Sequence, residues 1–394
     1  MTARTLLAAS LAGLLAACGS GSSSSTASNT AKMNVHLVDS PATAYKKVTL
    51  FVKSVEIASD SGWIKLAEVN EPVNLLDLQN GVFRTLVLGA ELPPGHYGQM
   101  RLLLGTPNTV TLADDSTLDL TIPSGMQTGV KFPVSFDLQA GTTYEIFIDM
   151  DAKKSVFVHK TGASNKYMLR PVVHAFDKMM TGSISGKLTI AGTQPPTGLG
   201  GVDVIAQTLE NDGQPSFVAS SKTSADGTYA LGLLPVGKTY YVACQPVAYA
   251  DTTTSYAPKA SAAIPINAST PTATWSESFT AVDLAKTGTV SGAIFPRPAV
   301  NQGDTAEARL PVAAGTSASL MLIVRTENGA VTTDADGKPL SESYSFSYLP
   351  PSPEYGFAAE RIVPDPVTIS KTVVSNVTTK AVPEGGSVTA DIFF

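Results

Sequence analysis

Apolar and polar residues alternate along much of this chain, which is the pattern of β-strands that bury one face. The two clearest runs occupy even-numbered positions: Val130, Phe132, Val134, Phe136 and Leu138, followed by Tyr144, Ile146, Ile148 and Met150. A turn at Ala140-Gly141 separates the two runs. The pattern therefore predicts two antiparallel strands, each with one buried face.

Earlier strands show the same alternation with one interruption. Val48, Leu50 and Val52 share one parity, whereas Val55 and Ile57 take the other. A change of parity within one strand predicts a β-bulge, here near Lys53-Ser54. Further along, residues 110–112 and 118–120 flank a turn at Asp114-Asp115 and predict a hairpin.

The composition supports the same fold class. The chain has 26 Pro and 32 Gly, which favours short strands and many turns over long helices. Its hydrophobic fraction of 43% is sufficient for well-packed cores. We therefore expect an all-β protein.

Short motifs recur in the same order in the last two hundred residues. TGSISG at 181–186 returns as TGTVSG at 287–292, Ala225-Asp226-Gly227 returns at 335–337, and Leu234-Pro235 returns at 349–350. The offsets are 106, 110 and 115 residues, so they grow slowly in one direction. This is typical of a duplicated domain with small loop insertions. We expect three sandwich-like domains in series, at residues 32–178, 181–283 and 287–394.

The beginning of the chain predicts export and lipid attachment. Residues 1–17 combine Arg4 with an apolar run that is too short to span a membrane, as in a signal peptide. Leu15-Ala16-Ala17-Cys18 resembles the lipobox of bacterial lipoproteins, in which the Cys carries acyl chains and begins the mature protein. Residues 18–31 then form a Ser- and Gly-rich tether. Gly19 after Cys18, rather than Asp, resembles lipoproteins of the outer membrane.

Two further resemblances concern the domains. The stretches 38–57, 92–102 and 148–156 (VDSPATAYKKVTLFVKSVEI, LPPGHYGQMRL and IDMDAKKSV) resemble a bacterial lipoprotein domain family of uncharacterised function, which implies no reaction. Residues 224–242 (SADGTYALGLLPVGKTYYV) resemble the carboxypeptidase regulatory-like family, a transthyretin-like β-sandwich. That resemblance implies a hairpin at the Leu-Pro turn. In the last repeat Pro351-Ser352-Pro353 replaces the expected Gly.

Charge and motifs exclude nucleic acid and nucleotide as partners. The net charge is −6, and no basic patch is available to neutralise phosphates. Residues 232–239 (GLLPVGKT) match a phosphate-binding loop letter for letter. However, that loop requires a following helix, and Tyr240 to Val242 predict a strand. Cys244 lies in this strand without a partner for a disulfide, which indicates a buried structural thiol.

Candidate metal ligands come from one predicted strand. Asp149 and Asp151 lie on one face, where they are able to bind a hard cation such as Ca²⁺, and Asp39 is the third ligand to test. The alternative is a solvent-exposed face, because Ca²⁺ takes 6 to 8 oxygens. Asp334 to Gly337 only half-match a calcium loop and are better read as a turn. We expect no other cofactor.

The histidines and aromatic residues give weaker indications. His36, His96, His159 and His174 lack metal-ligand spacing, and His36 is expected at the surface. No catalytic motif is present, so no enzyme is predicted. Trp63, Trp275, Tyr355 and Phe357 are expected to be partly exposed, and Trp275 and Tyr355 are candidates for glycan contact. Packing inside the sandwiches is the alternative.

These inferences together predict a non-enzymatic lipoprotein of the bacterial cell envelope. Its expected partners are the membrane, through acylated Cys18, and a glycan or another envelope protein. Two alternatives remain open at this point: a carbohydrate-binding surface protein and a metal-dependent hydrolase centred on Asp149 and Asp151.

Overall fold

The computed structural model describes residues 29–39, 45–79, 81–112, 115–122, 128–161, 164–211, 213–246, 253–295, 305–315, 317–327, 331–333, 339–365 and 369–394. Cys18 and residues 334–337 therefore lie outside the described residues. The protein is nearly all β, as the alternation predicts. Within the described residues no helix is long and apolar enough to cross a membrane.

Twelve strands form the first segment of the chain. They are β1 Ala31–Val38, β2 Lys47–Ser59, β3 Gly62–Asn74, β4 Arg84–Leu92, β5 Gly95–Leu104, β6 Thr109–Thr111, β7 Thr117–Thr121, β8 Val130–Leu138, β9 Thr143–Met150, β10 Val156–Thr161, β11 Ser164–Leu169 and β12 Val173–Asp177. A 3₁₀ turn at Leu75–Leu78 and one turn of α-helix, α1 at Ala152–Ser155, also lie in this segment.

The first segment consists of two sheets around one core. The smaller sheet has the order β12-β9-β1-β4, and the larger has the order β10-β11-β7-β6-β2-β5-β8, with β3 paired to β2. The bulge in β2 is confirmed, because the register shifts between Val52 and Ser54 against both β3 and β5. The hairpin of β6 and β7 is also confirmed.

One predicted pairing is wrong. β8 and β9 bury the apolar positions as the alternation indicates, but they do not pair with each other. β8 pairs with β5 in the larger sheet, whereas β9 pairs in parallel with β1 in the smaller one. The turn at Ala140-Gly141 therefore carries the chain from one sheet to the other across the core.

Eleven strands form the second segment. They are β13 Thr181–Ile190, β14 Asp203–Leu209, β15 Pro215–Lys222, β16 Thr228–Pro235, β17 Lys238–Cys244, β18 Thr254–Ser255, β19 Lys259–Ala260, β20 Ile264–Ile266, β21 Thr272–Thr274, β22 Glu277–Phe279 and β23 Val282–Asp283. Two 3₁₀ turns, Lys178–Met180 and Leu284–Lys286, stand before and after this segment.

Ten strands form the third segment. They are β24 Gly288–Phe295, β25 Thr305–Ala314, β26 Ser317–Glu327, β27 Val331–Thr333, β28 Pro339–Leu349, β29 Ser352–Asp365, β30 Ile369–Val374, β31 Thr378–Val382, β32 Ser387–Thr389 and β33 Ile392–Phe393.

The second and third segments repeat the same topology. In each, the first strand (β13 or β24) pairs antiparallel with β16 or β28 and in parallel with two short closing strands, β21 and β22 or β32 and β33. A second sheet, built around β14 and β17 or around β25 and β29, covers each core. The order of repeated motifs in the sequence thus corresponds to an order of equivalent strands.

The Leu-Pro turns are corners rather than hairpins. β16 pairs with β13 and β17 pairs with β14, so the turn at Leu234-Pro235 carries the chain between two sheets. The residue before the Leu has a positive φ in both repeats, 57° at Leu233 and 65° at Tyr348. No helix follows residues 232–239, which confirms the strand expected there.

The replacement of the expected Gly by Pro351-Ser352-Pro353 leaves this corner intact. The Tyr240 hydroxyl donates to the Pro235 carbonyl at 2.7 Å, and the Tyr355 hydroxyl donates to the Pro350 carbonyl at 3.0 Å. Both bonds span five residues, so the same contact closes the corner in each repeat.

Candidate functional site

The outer face of the smaller sheet in the first segment gathers most of the polar candidates. Even-numbered residues of β9 face the core, so its odd-numbered residues face outward together with their cross-strand neighbours. Asp149 lies opposite His174 on β12, and Phe147 lies opposite Phe176. Strand β1 lies along the other side of β9 in parallel and places His36 beside Phe147.

A cavity of about 160 Å³ lies where this face meets the second segment. The first segment lines it with Asp39, Asp149, Asp151 and His174, among others. The second segment contributes residues that include Glu210, Leu233 and Lys238. The corner of the second segment thus covers one end of the polar face, and the resulting cleft is the candidate functional site.

Asp39 is a carboxyl group of this cleft with a strongly raised pKa. It follows β1, is buried, and accepts hydrogen bonds from the Ala152 backbone N–H at 2.9 Å and from Gln79 Nε2 at 3.2 Å. Burial raises the pKa of Asp39 to about 8, which the two hydrogen bonds partly oppose and the charges of Asp149 and Asp151 further favour. The side chain therefore ties the start of α1 to the end of β1.

The three predicted metal ligands line the same cavity, but they do not form a metal-binding cluster. Asp39, Asp149 and Asp151 all line the cavity wall. The described part of the chain nevertheless holds no group of three or more His, Cys, Asp or Glu side chains that could hold a metal ion. The cation site stays a prediction, and the geometry of these residues adds no support for a hydrolase.

Replacement of Asp39 by asparagine is expected to flatten the pH dependence of stability. The pKa of Asp39 is higher in the folded protein than in the unfolded chain, so folding stability is greatest below about pH 4 and declines until pH passes about 8. Asp39→Asn keeps the acceptor for Ala152 and removes this titration. Urea unfolding at pH 5 and pH 8 should show the wild type losing on the order of 3 kcal/mol more than the variant.

Asp77→Asn provides the matched control, because Asp77 is exposed and lies two residues before Gln79. Parallel pH profiles for wild type and Asp39→Asn would contradict the prediction.

The surface position predicted for His36 is wrong. His36 is 6% exposed, with Nε2 2.6 Å from Glu145 Oε2 and Nδ1 3.0 Å from Thr85 Oγ1. Asn34 donates to the second oxygen of Glu145 at 2.6 Å. Partial burial acts to raise the pKa of Glu145, but the hydrogen bonds from His36 and Asn34 outweigh it and hold that pKa below its usual value.

Aromatic rings pack around the His36 side chain on this outer face. The rings of Phe83 and Phe147 each lie 4.8 Å from the His36 ring, and Phe176 stacks on Phe147 at 6.0 Å. Phe83 is 47% exposed and covers the imidazole. The group was missed because His36 meets Glu145 only through the parallel pairing of β1 and β9, for which the sequence carries no local signal.

The predicted glycan-contact residues do not form an exposed platform. Tyr355 is buried with its hydroxyl bonded to Pro350, and Phe357 is fully buried, so the exposure predicted for both is wrong. Trp275 is half-buried against the core of the second segment. Trp63 is also half-buried and lies beneath the Arg101 guanidinium, whose Cζ is 4.2 Å from the ring centroid.

Cys244 is a structural thiol, as its strand context predicts. It is fully buried in the core of the second segment, and burial raises its pKa. A thiol held in its protonated form is a poor nucleophile.

Comparison with known proteins extends the description of the first segment only. Residues 30–171 match the model of a domain of unknown function, DUF4382. This agrees with the resemblance to a domain family without a known reaction. No protein with a curated description matches the chain.

Solved structures resemble parts of the fold at low similarity. The minor pilin GBS52 of Streptococcus agalactiae is 10% identical, with 54% of this chain and 95% of that chain covered and a TM-score of 0.18. The fimbrial anchor protein Mfa2 of Porphyromonas gingivalis is 9% identical, with 51% of this chain and 99% of that chain covered and a TM-score of 0.17. A 9R-lipoxygenase from Cyanothece is 13% identical, with 33% of this chain and 19% of that chain covered and a TM-score of 0.18. The chain therefore spans about a fifth of that enzyme.

Proposed function

We propose that this chain is a lipid-anchored protein of the bacterial cell envelope, in which three β-sandwich modules hold binding surfaces away from the membrane without catalysing a reaction. The modules are residues 32–178, 181–283 and 287–394. The observation that carries the proposal is the direct packing of each module on the next. Such packing suits a rigid support better than a string of independent domains.

The joint between the second and third modules is buried and hydrogen-bonded. Gln207 donates to the Ile323 carbonyl at 2.7 Å and accepts from the Ile323 N–H at 2.9 Å. Ala243 of the second module is part of the third module's core cluster, and Ser255 donates to the Tyr348 carbonyl at 2.7 Å. These contacts fix the orientation of one module on the other.

The first joint is shorter and lies beside the cleft. The Val236 N–H at the corner of the second module donates to the Met180 carbonyl at 2.9 Å. Met180 ends the 3₁₀ turn that connects the two modules. This bond extends the pairing of β13 with β16, in which Thr181 lies opposite Pro235, into the turn that connects the two modules.

The strongly perturbed groups of the second and third modules have structural roles, which supports a non-enzymatic function. Burial raises the pKa of Tyr229 and Tyr240, and it raises that of Tyr355 to about 12. Each of these hydroxyls donates to a backbone carbonyl that closes the fold. None of the three is set to transfer a proton near neutral pH.

The proposed lipid anchor at Cys18 accounts for a location at the membrane. A Ser- and Gly-rich segment has a typical reach of about 5 to 6 Å times the square root of its length, which would hold the first module roughly 20 Å from the membrane surface. Several acyl chains on Cys18, at about 0.8 kcal/mol per buried methylene, would hold the protein on a membrane. Gly19 at the second mature position supports the outer membrane.

Mass spectrometry of protein from its native host tests this proposal. The expected result is a mature amino terminus at Cys18 that carries acyl chains. Cys18→Ser should move the protein from the membrane fraction to the soluble fraction, whereas Cys244→Ala, at the other cysteine, should leave it in the membrane fraction. An unmodified Cys18 or an uncleaved leader would overturn the proposal.

A further inference from the structure

The outer face of the β24 sheet carries three cross-strand rows of side chains. The strand register pairs Ser291 with Ser345 and Thr389, Ala293 with Ser343, and Phe295 with Phe393. Alternation along the strands adds Asp391 to the second row and Ser341 to the third. The intervening residues Val290 and Ile294 face the core and are buried. The face is therefore a surface of hydroxyl groups with one carboxylate and a pair of phenyl rings at one end.

The two phenyl rings are stacked and partly open to solvent. Their centroids are 4.9 Å apart, with 10° between the planes, and Phe393 is 58% exposed. In the described strands β33 pairs with β24 alone, so no neighbouring strand covers the far side of the Phe393 ring. One aromatic ring face at the edge of the sheet is accessible to a ligand.

The second module provides an internal comparison at equivalent positions. Its Ser276 hydroxyl accepts from the Lys187 N–H at 3.0 Å, as the Asp391 carboxylate accepts from the Ala293 N–H at 3.0 Å. Thr189 and Ser278 therefore correspond to Phe295 and Phe393, and they are cross-strand neighbours in the same way. The fold does not require the rings, since the second module forms the same strands with two small hydroxyl side chains.

The substitutions between the repeats change the charge of the surface in one direction. In the third module Ala293 replaces Lys187 and Asp391 replaces Ser276, so a basic side chain is lost and an acidic one is gained beside the phenyl pair. Exposing an apolar ring forgoes the free energy of its burial. A surface that gains exposed rings and a carboxylate and loses a basic side chain, beside a row of hydroxyls, suits a neutral ligand better than an anionic one.

We infer that this face, defined by Phe295, Phe393, Ser291, Ser341, Ser343 and Thr389, binds a neutral polysaccharide. The face of an aromatic ring carries partial negative charge and attracts the partially positive C–H groups on one side of a sugar ring. The hydroxyl rows supply donors and acceptors for sugar hydroxyls. The inference deepens the proposed function by naming the class of ligand, and it rests on that function.

A second copy of the chain fits this face less well. Stable protein interfaces bury about 1,200 to 2,000 Å² in total, with an apolar centre. Two phenyl rings among hydroxyl groups provide far less apolar area than such an interface requires. The net charge of −6 also disfavours close approach of two copies or of an anionic glycan.

A depletion assay on insoluble polysaccharides tests the inference. The full-length protein in detergent is mixed with cellulose, chitin or granular starch, and the bound fraction is measured. At least one of these should retain the wild type, and Phe393→Ala should lower its retention at least tenfold. Phe393→Trp should preserve retention, because it keeps an aromatic face.

Leu88→Ala is the matched control, since Leu88 is 82% exposed in the first module and its truncation also removes exposed apolar surface. Unchanged melting temperatures would show that the variants fold. Equal retention of Phe393→Ala and wild type, retention of the wild type by none of the three polysaccharides, or a dimer that Phe393→Ala dissociates would each overturn the inference. If no polysaccharide is retained but Cys18 is acylated, the envelope proposal stands and the polysaccharide inference falls. If a polysaccharide is retained but Cys18 is not acylated, the inference stands and the envelope proposal falls.

Discussion

Gly292→Ala is expected to lower the free energy of unfolding by about 3 kcal/mol or more. A Cβ atom at this position would lie 2.1 Å from the Ala390 carbonyl oxygen. That carbonyl belongs to the chain between the closing strands β32 and β33 and accepts the Tyr344 hydroxyl, so it cannot move away without breaking the bond. Urea unfolding should show the loss as a lower midpoint.

Gly186→Ala should have a comparable effect in the second module. Its Cβ would lie 1.7 Å from the Trp275 carbonyl oxygen, which accepts the Tyr229 hydroxyl at 2.7 Å. The shared dependence on glycine follows from the shared topology: a closing segment crosses the first strand at van der Waals distance in both repeats.

Gly232→Ala is the control for both variants. Gly232 lies in β16, and a Cβ there would meet no heavy atom within 4 Å. Its effect should remain within about 1 kcal/mol. If Gly292→Ala and Gly232→Ala unfold at the same urea concentration, the close approach described for the closing strands is wrong.

Gln207→Ala is expected to destabilise the joint between the second and third modules by about 2 to 6 kcal/mol. Gln207 is fully buried, and its amide satisfies both the N–H and the C=O of Ile323. Leaving a buried polar group without its partner costs about 1 to 3 kcal/mol, and this truncation leaves two. No apolar contact made by alanine compensates for that loss.

Calorimetry with limited proteolysis checks this result. The wild type should unfold the second and third modules together, whereas Gln207→Ala should separate them into two transitions and expose the junction to cleavage. Gln139→Ala, at an exposed glutamine of the first module, should leave the profile unchanged. One joint transition in the Gln207→Ala protein would refute the proposed rigidity of this junction.

Local patterns in the sequence predicted the strands well. The bulge in β2 and the buried positions of β8 follow from parity alone, since alternate residues of a strand face opposite sides whatever the strand pairs with. The repeat of the last two modules was equally visible, because duplicated turns retain their residues. These features require no knowledge of distant contacts.

Pairing between distant strands was the part that the sequence did not predict. The turn between β8 and β9 has the composition of a hairpin, yet it connects two sheets, and the Leu-Pro turns do the same. The acidic residues Asp39, Asp149 and Asp151 line one cavity, and their role as metal ligands stays a prediction. Lys238 and Leu233, which complete the cleft, come from another module and gave no local signal.

The parallel closing strands have a mechanical consequence. In both repeats the first strand and the two closing strands run side by side in the same direction, so tension applied to the two ends of a repeat pulls these strands past each other lengthwise. Their hydrogen bonds then bear the load together instead of opening one at a time. A chain held at one end by a lipid and at the other by a fixed partner would resist extension through the pairing of β13 with β21 and β22 and of β24 with β32 and β33.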